Sequence, residues 1–204
     1  MDDYIIHIVD DEEQARKSLA FLLTMAGFAV RVHETATAFL AAAPGIGKGC
    51  LLTDLRMTDI SGVELLRRLQ ADQIRIPAIV ITGHGDVPMA VEAMKAGALD
   101  FIEKPFEEGR LIEAIERAVQ RLATMPADAD DVTAIQTRLN LLSERERQVL
   151  SGVVGGLPNK TIAYDLDISP RTVEVHRANV MSKMHAKSLP ELVRMTLAAD
   201  FPSR

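Results

Sequence analysis

The stretch PAIVITGHGDVPMAVEAMKAGALDFIEKPF, residues 77–106, decides the fold class. It opens on an apolar run, PAIVIT (77–82), closes on another, DFIEK (100–104), and holds a segment of helical spacing at 86–96 between them. Parallel neighbours need a crossover connection, and strands covered on both faces read as near-continuous Val, Ile and Leu. Working outward, YIIHIV (4–9), FAVRVH (28–33) and CLLTD (50–54) add three more runs, with helical stretches at 13–26, 35–43, 61–71 and 107–121. In the last of these Leu111, Ile112, Ile115, Val119 and Leu122 share one face. The alternation predicts an α/β doubly wound domain on a five-stranded parallel sheet, with its site at the carboxyl ends of the strands.

Those ends carry the chemistry. Asp10 and Asp11 follow the first run and Asp54 closes the third. In a doubly wound sheet both ends open on one edge, so carboxylates far apart in the chain are expected to converge. Close carboxylates need a cation, and hard oxygen ligands with room for water favour Mg²⁺. Thr82 ends the fourth run and Lys104 the fifth, placing a hydroxyl and an ammonium on the same edge, suited to phosphoryl oxygens around an Asp54 acceptor. An acid after a strand is more often a turn residue or a cap; it is the five-part set, each member at a strand end, that points to phosphoryl chemistry.

The chain of 204 residues carries a formal charge of −6, which on its own argues against a nucleic-acid partner. The charge is uneven. Residues 1–123 hold 13 Lys and Arg against 19 Asp and Glu, whereas 138–204 hold 10 against 7. Between them 124–137 (TMPADADDVTAIQT) carries three Asp and no base, reading as a linker between a domain at 1–123 and another at 138–204. A single cysteine, Cys50, excludes an intramolecular disulfide framework and reads as inert strand core. His7 and His33 lie in strand runs without metal spacing and read as core or edge residues, while His84 falls beside the acidic pocket as a candidate modulator. No apolar run approaches the roughly 18 residues of a membrane span, and the acidic, short-cored N-terminus lacks signal-peptide character, so a cytoplasmic protein with no membrane partner is expected.

The last 67 residues read as four helices near 143–154, 159–166, 169–184 and 188–198. Ser143 with Glu146 and Ser188 with Glu191 have capping-box spacing, and Ser169 precedes a proline at the first helical position. Two short helices separated by Asp167-Ile168 suggest a helix-turn-helix. Val173, Val180, Met181 and Met184 form the third helix's buried stripe, against Ile162, Ala163 and Leu166. Arg171, Thr172, Val175, Asn179 and Lys183 are left outward, with Glu174 and His176 at the borders and Lys160 on the preceding helix. Bases and hydroxyls suit phosphates, Val175 a thymine methyl and Glu174 a cytosine amine.

The first 121 or so residues resemble a response-regulator receiver domain, carried by DD (10–11), DLRM (54–57), ITGHGD (81–86) and AGALDFIEKPF (96–106). The resemblance implies that Asp54 takes a phosphoryl group from a sensor histidine kinase, that Asp10, Asp11, Asp54 and the Arg56 carbonyl arrange Mg²⁺, and that Thr82 and Lys104 contact the phosphoryl oxygens. Phe101 would be the aromatic that turns inward with the hydroxyl residue, and Lys104-Pro105 a cis peptide. It also places the output surface on the fourth helix, fifth strand and fifth helix, where Val91, Met94, Ala98 and Leu99 supply apolar matter. Thr58 departs from the family's usual proline. LSERERQVLSGVVGGLPNKTIAYDLDISPRTVEVHRANVMSKM (142–184) resembles a LuxR-type helix-turn-helix. The pairing implies a transcription activator that dimerises when phosphorylated, binds promoter DNA and engages RNA polymerase, and it is most similar to the branch that activates nitrogen-fixation genes under low oxygen. A Mg²⁺-dependent phosphohydrolase with an Asp54 nucleophile is the alternative; Arg56 stands where such enzymes want a second Asp. A flavin or nucleotide module is disfavoured by DDEEQ in the first loop, where a phosphate cradle would be needed.

Overall fold

Five strands, β1 (Ile5–Val9), β2 (Ala29–His33), β3 (Gly49–Asp54), β4 (Ala78–Thr82) and β5 (Asp100–Glu103), alternate with helices in the first part of the chain. The helices are α1 (Glu13–Met25), α2 (Ala36–Ala42), α3 (Gly62–Ala71), α4 (Val87–Lys95) and α5 (Glu108–Ala123). The computed structural model describes residues 4–83, 87–123 and 129–202, so His84 lies outside the described residues. All strand pairs are parallel, in the order β2-β1-β3-β4-β5, with Ile5 opposite both Ala29 and Gly49, Leu51 opposite Ala78 and Ile79 opposite Asp100. This is the expected doubly wound sheet. The order reverses between β1 and β3, which puts the switch point between the strands that end in Val9 and Asp54.

Alternation along each strand sorts the core into two faces. Ile6 and Ile8 of β1, Cys50 and Leu52 of β3, and Ile79 and Ile81 of β4 pack with Leu19 and Leu23 of α1 and Leu111, Ala114, Ile115 and Ala118 of α5. Each fully buried Ile or Leu contributes roughly 1.5–3 kcal/mol. Cys50 is completely buried and its thiol is pushed up to about 12 by burial, as an inert core residue should be. Local signals fix the helix starts on the other face: the Thr35 hydroxyl accepts from Ala38 N–H before α2, and the Ser61 hydroxyl accepts from Glu64 N–H before α3.

His7 and His33 form a buried pair on that face. His7 Nδ1 and His33 Nε2 lie 3.0 Å apart, and both rings meet Phe39 edge-on. Burial first, then the neighbouring His33 and Arg31, lower the His7 imidazole to about 4. The folded state therefore holds His7 neutral while the unfolded chain takes up a proton near pH 6.5, so this stability is present above pH 6.5 and lost as pH falls toward 4. The urea midpoint of the sheet unit is expected to drop more steeply over that window in the wild type than in His7→Phe; parallel profiles would contradict the neutral pair.

The second part of the chain, from Ala129 on, is all-helical. Its elements are α6 (Ala129–Asn140), α7 (Glu144–Val154), α8 (Asn159–Leu166), α9 (Pro170–Met184) and α10 (Leu189–Ala198). Residues 129–202 thus hold five helices where four were expected from 138 on. Residues 129–137 of the expected linker belong to α6, and 124–128 lie outside the described residues. Ile135 and Leu139 of α6 insert into a cluster with Leu142, Leu150, Val154, Val180, Met184 and Leu192, which is why the segment folds. A second cluster joins Val149 and Val153 of α7 to Ile162, Ala163 and Leu166 of α8 and Val173 of α9.

The three serine caps form as expected. Ser143 and Glu146 make a complete capping box, Ser169 accepts from Thr172 N–H with Pro170 following, and Ser188 accepts from Glu191 N–H. The Glu191 carboxylate reaches Lys187 N–H rather than the cap residue, so the last box is a variant. Asp167, in the left-handed region at φ 54°, makes the turn from α8 to α9.

Candidate functional site

The carboxyl edge of the sheet gathers the acidic residues around one lysine. Lys104 Nζ, just past β5, lies 3.3 Å from Asp10 Oδ2 and 3.4 Å from Asp54 Oδ1. The Asp10 side chain is 4% exposed, Asp54 12% and Lys104 28%, so the ammonium bridges two desolvated carboxylates while keeping one side to solvent. Burial pushes the Asp54 carboxyl above the ordinary range and Asp10 adds to the rise; the Arg56 N–H, 2.7 Å from Oδ2, and Lys104 oppose it. The β4 end supplies Thr82, buried, whose carbonyl accepts the Lys104 N–H at 2.7 Å, so the backbone itself ties the hydroxyl residue to the lysine. Phe101 is buried in β5, and the Lys104-Pro105 bond is cis.

Asp11 is held differently. Its Oδ2 accepts the Thr58 N–H at 2.9 Å, across 47 residues. Among the described residues no three His, Cys, Asp or Glu side chains close into a metal-holding group, and the Lys104 ion pairs are what bring Asp10 and Asp54 together. The donor set is nonetheless the right chemistry for Mg²⁺: hard carboxylate oxygens at a partly open edge with no sulfur or imidazole among them.

Three supporting residues are invisible to spacing arguments. Arg16, buried on α1, donates to the Asp10 carbonyl at 2.7 Å and lies 3.6 Å from Glu34, which fixes the backbone that carries the acidic pair. Gly62 opens α3 so close beneath Asp54 that a Cβ there would overlap the Asp54 carbonyl oxygen. Asp59 accepts from the Thr37 N–H at 2.8 Å and its hydroxyl at 2.9 Å, anchoring the β3–α3 loop to α2. Only Gly62, as a glycine at a helix start, carried any signal. Val91, Met94 and Ala98, expected to supply apolar surface, are buried, and Leu99 is half-buried.

In the helical unit α9 buries Val173, Val180 and Met184 and leaves Arg171, Glu174, Val175 and Asn179 exposed, with Lys160 exposed on α8. Thr172 and His176 are half-buried, and the Thr172 hydroxyl is shared with the Ser169 cap at 2.8 Å. Lys183 Nζ lies 2.7 Å from Glu146 Oε2 and 3.3 Å from the Leu141 carbonyl, so its charge has a partner within the fold while its side chain stays 40% exposed. Arg177, not foreseen as a structural residue, donates to Asn159 Oδ1 at 2.7 Å and locks α9 to the start of α8.

A sheet edge of this kind followed by a helix-turn-helix is the architecture of a response regulator, and the chain belongs to that class: residues 6–116 match the response regulator receiver domain and 140–196 the bacterial regulatory proteins of the luxR family. It is a two-component response regulator with a LuxR-type DNA-binding domain, similar to FixJ along its length. The transcriptional regulatory protein FixJ of Rhizobium meliloti (strain 1021) is 72% identical over 98% of both chains. FixJ of Azorhizobium caulinodans is 55% identical over 95% of this chain and 92% of its own. The crystal structure of full-length FixJ from B. japonicum is 50% identical, covers 98% of each chain and superposes with a TM-score of 0.57. Among the described residues no helix is long and apolar enough to cross a membrane.

Proposed function

We propose that Asp54 accepts a phosphoryl group from the phosphohistidine of a sensor kinase and that the resulting charge switches the chain into a DNA-binding transcription activator. The observation that carries this is the Lys104 ammonium set between Asp54 and the buried Asp10 at the carboxyl edge of the sheet. An Asp54 carboxylate oxygen attacks phosphorus, the nitrogen–phosphorus bond breaks, and the imidazole leaves with its electron pair, producing an acyl phosphate. Lys104 then faces phosphoryl oxygens, with the Thr82 hydroxyl as the second contact. Asp10, Asp11, Asp54 and the Arg56 carbonyl would hold Mg²⁺, which supplies charge neutralisation for the incoming phosphoryl group. The acyl phosphate carries about −1.5 to −2 charges where the carboxylate carried −1, and places them on three new oxygens at a site walled by buried groups, which biases a two-state arrangement of Thr82 and Phe101.

The output reading rests on the exposed α9 face. Arg171 and Lys160 suit phosphates, Val175, Glu174, Thr172, His176 and Asn179 suit base edges or sugar, and a dimer on two half-sites supplies the affinity that one short recognition helix lacks. The likeness to FixJ supports promoters of nitrogen-fixation genes as targets, with RNA polymerase as the further partner. In this reading the receiver is 1–123 and the DNA-binding unit starts with α6, so the joint is shorter than the 124–137 that composition suggests. The test treats the full chain with a small-molecule acyl phosphate and Mg²⁺, maps the adduct by mass spectrometry and follows promoter binding and sedimentation. An adduct on Asp54 that raises both DNA affinity and dimer fraction is expected; an adduct elsewhere, or one that changes neither, overturns the reading.

A further inference from the structure

We propose that the Thr58 backbone N–H is a latch on Asp11 that sets how readily this chain takes up Mg²⁺, an inference that rests on the metal reading above. Three ties fix the loop between Asp54 and α3. Arg56 N–H donates to Asp54 Oδ2 at 2.7 Å, Thr58 N–H to Asp11 Oδ2 at 2.9 Å, and the next residue, Asp59, accepts from Thr37 N–H at 2.8 Å. The loop is therefore held by α2 on one side, and Thr58 is presented to Asp11 as a fixed donor. A carboxylate oxygen that accepts a charge-assisted hydrogen bond has a lone pair committed to it. Entry of Asp11 into a metal's ligand set competes with the Thr58 bond.

The donor is the main chain, so the side chain is dispensable and the nitrogen is not. Proline has no N–H, whereas alanine keeps it. Calorimetric titration of Mg²⁺ into the full chain, which lacks tryptophan for a fluorescence readout, is expected to show Thr58→Pro binding about 3- to 10-fold tighter than wild type, the size of one net hydrogen bond. Thr58→Ala should stay within about 2-fold on the same scale. A Pro variant with unchanged or weaker binding, or an Ala variant that tightens equally, overturns the latch. Hydrogen exchange of the Thr58 amide gives a reading that does not depend on the proline variant folding: protection in metal-free wild type that falls on Mg²⁺ saturation supports the proposal, and an amide unprotected without metal, or equally protected with it, refutes it. Normal Asp54 modification with unchanged affinities refutes the latch alone, whereas absence of saturable Mg²⁺ binding in all three chains, together with absence of an Asp54 adduct, refutes the metal reading and the latch with it.

Discussion

Lys104→Met is expected to slow modification of Asp54 by a small-molecule acyl phosphate by about 100-fold, the scale on which loss of one preorganised charge donor acts. Lys104 is the cation within reach of both Asp10 Oδ2 and Asp54 Oδ1, at 3.3 and 3.4 Å. At an effective dielectric near 20, each such contact is on the order of 5 kcal/mol of gross attraction before desolvation is counted. Without it, two carboxylates of which one is buried face each other, and an incoming phosphoryl group brings further negative charge to a site with no ammonium. Lys104→Arg keeps the charge but replaces a compact point donor with a planar fork, so partial activity is expected. The removal also leaves Asp10 without its ion pair, a destabilising change, and the rate is therefore compared well below the unfolding midpoint of each variant. A Lys104→Met rate within threefold of wild type would show that the lysine neutralises the resting pocket and takes no part in transfer.

The strands and helices were legible where each depends on local pattern: AIVI and IIHIV are buried runs, and the Ser143, Ser169 and Ser188 caps act within three residues. The strand-end positions of Asp10, Asp54, Thr82 and Lys104 followed from topology, since a parallel sheet sends all carboxyl ends to one edge. What stayed hidden depends on distant partners. Helix α6 has only Ile135 and Leu139 as strong apolar anchors in an Ala/Asp-rich stretch, and it gains its reason to fold from Met184 and Leu192 far along the chain. The bond from Thr58 N–H to Asp11 stayed hidden because spacing counts carboxylates and not main-chain donors; Thr58 lies 47 residues away. The target of Arg16 is a main-chain carbonyl, which leaves no sequence trace.

Lys183 is the same lesson in the DNA-binding unit, and it yields the second large effect: Glu146→Ala is expected to destabilise that unit by about 3 kcal/mol. The Glu146 side chain is 5% exposed, and its Oε2 accepts from both the Ser143 N–H and the Lys183 ammonium at 2.7 Å. One carboxylate therefore closes the cap of α7 and pins the C-terminal turn of α9 to it. The Lys183 hydrogen bond first, then the Ser143 N–H, hold the carboxyl below the usual range, so acid weakens the tie as well. Truncation removes the capping box and a charge-assisted bond together, whereas Lys183→Met removes only the latter and should cost no more than half as much. Hydrogen exchange of α7 and α9 amides in the full chain reads both losses without requiring one transition for the two units. DNA binding separates the two roles of Lys183. With its charge spent on Glu146, Lys183→Met should leave the salt slope of promoter binding unchanged, while Arg171→Ala should reduce it by about one. A slope that falls by one in the Lys183 variant would show that DNA phosphate outcompetes Glu146 for the ammonium.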